Sequence, residues 1–574
     1  MVQILHIDLK LSGSEEAKVR FFWDHPNEFQ ELWLPLDEIG KLNQWAQESY
    51  YTYLPLPYPE TGHILYDWLN QNYRLENTLR DCPHGEQIVL AIAAEQGLAN
   101  LPWEILHDGE RFLVEYNPAI VPVGWVKRRT PSLSLHNQPN NRVLNVLFMA
   151  TSPSGVKTVL DFEAEEGQIL KATERKKSLC LTVEESGNLQ ELGYLVEDYA
   201  KGYFDVAHFT GHAEIEDGQP YFLTETELGE RENSTAQEIA RALQFNTPKL
   251  MFLSGCRTGY SDAVPSMAEA LLNQGATAVL SWGDRVKDDL ASEAAGKLYE
   301  ALSVGKTVTE ALALTYQALL QSRESGRWHL LRLYIADLLP GALVTPLRTK
   351  GREPIPRPDV VEQFIDNQRK LRLLPRHAFV GRRRQLQSCL RILKTDWSKM
   401  GVLLTGMGGW GKSTIAARLC DRLSEYTPLV WWRQIDEGDL SDRLGEQLSD
   451  KRRKKLRDAD KDLKSRLRSV LKALHKNGER LLFVFDDFEW NLEQKRGRYH
   501  LKPNVALCLE ALVAAIQNTE HRITITCRYQ FEWQELNRFF IQPLDSFHHA
   551  DLQKKLRRLE HFSSGELNER LILD

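Results

Sequence analysis

The stretch Gly406-Met407-Gly408-Gly409-Trp410-Gly411-Lys412-Ser413-Thr414 constrains this chain more than any other. An apolar run, Val402-Leu403-Leu404, leads into it and an amphipathic segment follows, so the pattern GxxxxGK[ST] stands between a strand and a helix. That context demands an α/β layer. Gly406, Gly408, Gly409 and Gly411 let the backbone turn its N–H groups toward phosphate oxygens, and the helix opening at Lys412 adds the positive end of its dipole. Lys412 supplies the counter-charge for the β and γ oxygens, Ser413 a ligand for magnesium, and Thr414 completes the motif.

Two later strands extend the same reading. Leu481 to Phe485 is a buried run that ends in Asp486-Asp487, where Asp486 is expected to share the magnesium shell with Ser413 and Asp487 or Glu489 to position an attacking water. Ile523 to Thr526 is followed by Arg528, a candidate sensor of the γ-phosphate. The expected cofactors are ATP or ADP with Mg2+.

The first half of the chain carries different chemistry. Leu250 to Ser254 reads as a buried parallel strand that stops at Gly255-Cys256, and reactive groups in open α/β sheets sit just beyond the carboxyl ends of strands. Upstream, Phe204 to Thr210 reads as a second strand, broken at Gly211 and followed by His212. One thiol and one imidazole at two strand ends make a candidate nucleophile and base. A lone cysteine is ordinarily a small inert hydrophobe, and it is the pairing with His212 that favours catalysis for Cys256. His208, inside the strand, suits a structural hydrogen bond. In Leu101-Pro102-Trp103-Glu104 the reading is a packing corner, with Trp103 filling core and Glu104 capping or pairing.

At 574 residues the chain is too long for one core. A net charge of −7 gives no general pull toward nucleic acid or anionic membrane. The basic run Lys451 to Lys455 is interleaved downstream with Asp458, Asp460 and Asp462 and lacks aromatics, so a solvated helix is expected and nucleic acid is not an expected partner. The seven cysteines are odd in number and follow no metal-ligand spacing, which points to reduced thiols in a cytoplasmic protein. Met1 to Leu11 alternates like a strand rather than a signal peptide, and no apolar run is long enough to span a bilayer. Alternating strands and helices from Arg142 imply a doubly wound parallel sheet, and the prolines between 345 and 358 a stiff linker.

On these residues, 142–346 resembles the CHAT family of caspase-like cysteine peptidases, related in fold to separase: His208-Phe209-Thr210-Gly211-His212, Leu253 to Gly259, Gly275 to Val279, Ser281-Trp282 and Leu333-Tyr334 carry the likeness. Residues 1–141 resemble the degenerate caspase-like α/β half that often precedes such domains. Residues 379–550 resemble an NB-ARC-type STAND nucleotide switch. Val380-Gly381-Arg382 is similar to its adenine-side segment and Gln542-Pro543-Leu544 to the stretch after its sensor strand. Residues 347–378 would be linker and helix, and 551–574 the start of a helical domain.

The resemblance implies Cys256 as thiolate nucleophile and His212 as the residue that protonates the leaving amine. The N–H groups of Cys256 and Ala213 would form the oxyanion hole. Family members usually have Gly where Ala213 stands; alanine keeps the N–H and needs an ordinary backbone there. Asp284, Asp288 and Asp289 follow the next strand end, where a pocket would favour a basic residue before the scissile bond. The expectation is a cysteine endopeptidase controlled by the nucleotide switch, in prokaryotic defence or programmed death. Its expected partners are a protein substrate, a self-oligomer on activation and a separate sensor protein, since the chain stops before any winged-helix or repeat sensor. The alternatives are a non-catalytic caspase-like scaffold on a signalling ATPase, and a nucleic-acid-dependent NTPase.

Overall fold

The computed structural model describes residues 2–49, 57–82, 86–128, 130–156, 162–173, 178–244, 247–256, 267–283, 286–322, 325–353, 362–547, 551–552 and 554–555. It divides into two units, Met1–Pro358 and Asp359–Asp574.

Thirteen strands of the first unit form one sheet. They are Val2–Ser12 (β1), Glu16–Phe22 (β2), Gln30–Pro35 (β3), Gln87–Ala94 (β4), Ile120–Trp125 (β5), Leu144–Ala150 (β6), Leu179–Glu184 (β7), Val206–Glu216 (β8), Gln219–Glu225 (β9), Arg231–Ser234 (β10), Leu250–Cys256 (β11), Ala278–Trp282 (β12) and Leu331–Ile335 (β13). Their order is β10-β9-β8-β11-β12-β13-β5-β4-β1-β2-β3, with β6 beside the first part of β8 and β7 outside β6. Every residue of β6 is buried, as in a parallel strand covered on both faces, and all but Asn145, whose Nδ2 donates to the Tyr203 carbonyl at 3.0 Å, are apolar.

One antiparallel contact divides this sheet by direction. β6, β7, β8, β11 and β12 run parallel, as do β1, β4, β5 and β13, and the two sets meet antiparallel where β12 pairs β13. Their carboxyl ends therefore emerge on opposite edges, giving each half its own place for a site. The helices used below are Phe162–Thr173 (α1), Met267–Asn273 (α2), Asp288–Ser303 (α3) and Val308–Gln321 (α4). Thr307 and Glu310 cap α4 reciprocally.

The expected break at Gly211 does not occur. β8 continues through His212 and Ala213 to Glu216 and turns back into β9 at Asp217-Gly218, both at positive φ as a two-residue hairpin requires. Gly211 has another reason to be glycine: a Cβ there would lie 2.2 Å from Thr151 Oγ1 and 2.7 Å from Phe222 Cζ. The Trp103-Glu104 corner is as expected, with Trp103 in the core and Glu104 bound to Arg332 of β13.

The second unit holds a five-stranded parallel sheet of Gly401–Thr405 (β14), Thr427–Trp432 (β15), Leu481–Asp486 (β16), Arg522–Cys527 (β17) and Phe539–Pro543 (β18), in the order β15-β16-β17-β14-β18. Its helices include Arg383–Thr395 (α5) and Lys412–Arg422 (α6), the latter directly following β14 and its glycine loop. The basic run lies on Asp450–Leu456 (α7), where Lys451, Lys454 and Lys455 face solvent and Arg452 pairs with Glu479 at 3.1 Å. Among the described residues no helix is long and apolar enough to cross a membrane. Of residues 551–574, where a further helical domain is expected to begin, 551, 552, 554 and 555 are helical and the rest lie outside the described residues.

Candidate functional sites

Cys256 ends β11 and His212 lies in β8 directly across from it, as Cα register partners. Each strand turns alternate residues to one face, so positions 208, 210 and 212 share a face with 252, 254 and 256. The first two pairs show what that face does. His208 stacks on Phe252 at 4.4 Å, and Thr210 Oγ1 donates to the Ser254 carbonyl at 2.8 Å. Glu165 of α1 ties both strands from above: Ser254 Oγ donates to it at 2.8 Å and His208 Nε2 lies 3.3 Å away. These contacts hold the Glu165 carboxyl below its ordinary range against the opposing effect of its burial, His208 contributing most. His208 is thus wholly buried between these groups, but neither ring nitrogen makes the hydrogen bond expected of it. Sequence reading does not single out Glu165, because its partners lie on strands far along the chain and no motif marks it. Arg257–Ser266, which follow Cys256, lie outside the described residues.

The register also says where the backbone N–H groups go. Thr151 N–H donates to the Thr210 carbonyl at 2.8 Å, so even-numbered residues of β8 bond toward β6 and odd-numbered ones toward β11. In a parallel ladder the His212–Cys256 pairing is then made by Cys256 N–H toward Gly211 C=O and Ala213 N–H toward Cys256 C=O. Ala213 is buried and has the ordinary extended backbone of a strand residue. Asp288 and Asp289 occupy the first turn of α3, where their charge complements the helix dipole; Asp284 lies outside the described residues.

In the second unit the loop glycines adopt the conformations their motif requires: Gly406, Gly409 and Gly411 have φ of 148°, 82° and 88°. Lys412 Nζ folds back onto the loop, donating to the carbonyls of Gly406 at 2.8 Å and Met407 at 2.9 Å. Burial lowers its pKa, opposed chiefly by Glu489 among its charged neighbours. Ser413 and Thr414 stand in the first turn of α6. Asp486 ends β16 and accepts from Thr526 Oγ1 at 2.7 Å, with the Ser413 hydroxyl beside it. Burial pushes its carboxyl above the usual range despite those hydroxyls. A carboxylate and a hydroxyl so placed at the start of α6 fit a hard cation that takes oxygen ligands, as Mg2+ does.

Asp487 follows at a φ of 53°, its N–H donating to Thr526 Oγ1 at 3.1 Å. Arg528 stands beside the loop, since a Cβ on Gly408 would lie 3.5 Å from its Cζ, and its Nε is paired with Glu489 at 2.8 Å. The candidate sensor and a candidate water-positioning acid therefore neutralise each other in this state. Val380-Gly381-Arg382 reaches the same loop: Val380 is buried, Gly381 and Arg382 have φ of 65° and 66°, and Arg382 Nη2 donates to the Trp410 carbonyl at 3.4 Å. Among the described residues no cluster of His, Cys, Asp and Glu could by itself hold a metal.

Comparison with protein-family models matches residues 59–384 to the CHAT domain and 378–519 to an AAA ATPase domain. Comparison with curated proteins gives no match. Solved structures similar to parts of the chain include the ORC2 protein of Aeropyrum pernix, at 14% identity and a TM-score of 0.24, over 31% of this chain and 52% of that one. The separase–securin complex of Saccharomyces cerevisiae gives 11% identity and a TM-score of 0.31 over 59% of this chain and 30% of that one. A STAND protein with a tetratricopeptide repeat sensor from Pyrococcus horikoshii gives 14% and 0.23 over 34% and 26%. The chain spans about half the length of the first of these structures. An AAA ATPase domain match thus follows a CHAT domain match along the chain. With residues 59–384, more than half its length, inside the first model, the chain belongs to the CHAT domain family.

Proposed function

We propose that this protein is a cysteine endopeptidase whose activity is set by ATP or ADP with Mg2+ at an NB-ARC-type switch, acting on a protein substrate in prokaryotic defence or programmed death. The cross-strand register of Cys256 with His212 carries the reading, because it makes neighbours in the sheet of two positions that the sequence keeps apart. His212 serves as proton donor to the leaving amine, and the negative end of the reaction is met by the N–H groups at the strand end. Lys412, Ser413, Asp486 and Arg528 read the nucleotide, and exchange of the Arg528–Glu489 pair for a γ-phosphate contact signals its presence. A self-oligomer and a separate sensor protein belong to the same proposal, and so does a cytoplasmic location. The test is cleavage of a peptide library with and without ATP and Mg2+. Cleavage should need the nucleotide and vanish in Cys256→Ala and in His212→Ala while both variants still bind ATP; cleavage that survives both changes refutes the peptidase.

One observation favours a second reading, a non-catalytic scaffold. Both candidate oxyanion N–H groups are directed into the β8–β11 ladder, so a tetrahedral intermediate has to take them from backbone carbonyls. On that reading a thiol-reactive peptide probe leaves Cys256 unlabelled in every nucleotide state.

A further inference from the structure

At the carboxyl ends of β1, β4 and β5, on the edge of the sheet opposite the one where β11 ends, lies a cavity of about 340 Å³. Small-ligand pockets run from roughly 300 Å³ upward. Its wall is aromatic. Gly124 and Tyr334 are register partners, and a Cβ at Gly124 would lie 3.0 Å from the Tyr334 ring, so the ring occupies the space a side chain would fill. Trp103 and Trp125, both buried, complete that wall.

The charges around it are unevenly satisfied. Asp8 is paired with Lys127 at 2.5 Å, and Arg332 is neutralised by Glu104 behind the wall. Lys10, at the end of β1, and Glu95, just past β4, follow the register pair Leu9–Ala94, yet no ion pair joins them among the described residues. Glu269 enters from α2, so both directions of the sheet contribute. Burial holds its carboxyl above the ordinary range, with Arg332 opposing. A monoamine would leave Lys10 unmatched, and a monocarboxylate would meet Glu269 and Glu95.

We propose that this cavity binds a small zwitterion, an amino acid or dipeptide, with its carboxylate toward Lys10 and Lys127 and its ammonium toward Glu269 and Glu95. None of these residues belongs to the peptidase or nucleotide chemistry, so binding is read independently of cleavage. The experiment is calorimetric titration of the full chain with the common L-amino acids and their glycyl dipeptides at millimolar concentration, beside ethylamine and acetate. At least one zwitterion should bind, neither monofunctional compound should match it, and Glu269→Gln and Lys10→Ala should each weaken it about tenfold, the worth of one charge-assisted contact. Lys10 is exposed, so Lys10→Ala keeps the test decisive if Glu269→Gln misfolds. No binding by any zwitterion, equal binding by ethylamine or acetate, or unchanged affinity in folded Lys10→Ala overturns the proposal.

Discussion

Arg332 donates through Nε and Nη2 to the two oxygens of Glu104, at 2.6 and 2.7 Å, and gives one N–H each to the carbonyls of Ala99 and Leu101. Both side chains are almost wholly buried, and burial pushes the Glu104 carboxyl up while Arg332 holds it down. Arg332→Met strands a carboxylate in the core and should destabilise the first unit by about 3–5 kcal/mol in urea unfolding, whereas Arg332→Met with Glu104→Leu should recover most of that loss. The Trp-Glu corner is legible in sequence because a proline turn carries it; its partner is not, since nothing local announces an arginine more than two hundred residues away. Asp486 shows the same logic at a functional position. Its folded pKa is raised by burial, so the fold favours the protonated form: the stability it contributes is complete below the unfolded pKa and is lost as pH rises through the folded one. In metal-free buffer Asp486→Asn should therefore flatten the fall in stability of the second unit above pH 4 or so, the usual aspartate range, while weakening Mg2+-nucleotide binding. Parallel pH series of thermal unfolding check the first effect and calorimetry the second.

The elements that frame the candidate dyad were only partly readable. β11 is announced by its apolar run and the glycine that follows, but Gly211 resembles a terminator and is instead a point of close approach within β8. What sequence cannot show is that Phe222, from the next strand, and Thr151, past the end of β6, already occupy the space beside it. Gly211→Ala should force those neighbours apart, costing about 1–3 kcal/mol by overpacking, and shift His212, the next residue. Peptide cleavage should then fall with the stability loss, and Thr151→Ser, which keeps the hydroxyl and removes a methyl group, should not rescue it, because the clash is with Oγ1. Glu165 was equally hidden: one of three glutamates at the start of α1, it acquires meaning only when β8 and β11 present His208 and Ser254 side by side.

At the scale of the whole molecule the proline-rich stretch marks the place where two independently cored units adjoin in sequence. One buried apolar cluster is confined to residues 403–539, and the others lie between residues 4 and 344. The glycine loop and its strands were legible because phosphate binding dictates residue type at each position. The reversal of direction between β12 and β13 was not, because strand direction within a sheet is set by connections and packing rather than by any local pattern. Separate cores should unfold as separate transitions in calorimetry, which makes nucleotide a selective probe. A ligand held only by the folded second unit stabilises that unit alone, by about 2.7 kcal/mol at a hundred times its dissociation constant. ATP with Mg2+ should therefore raise one transition and leave the other in place. Lys412→Ala should abolish the shift by removing the counter-charge that the loop carbonyls hold in readiness. If ATP moves both transitions together in the wild type, the two units share one cooperative folding unit; an unchanged ATP affinity in Lys412→Ala would remove the loop from nucleotide binding altogether.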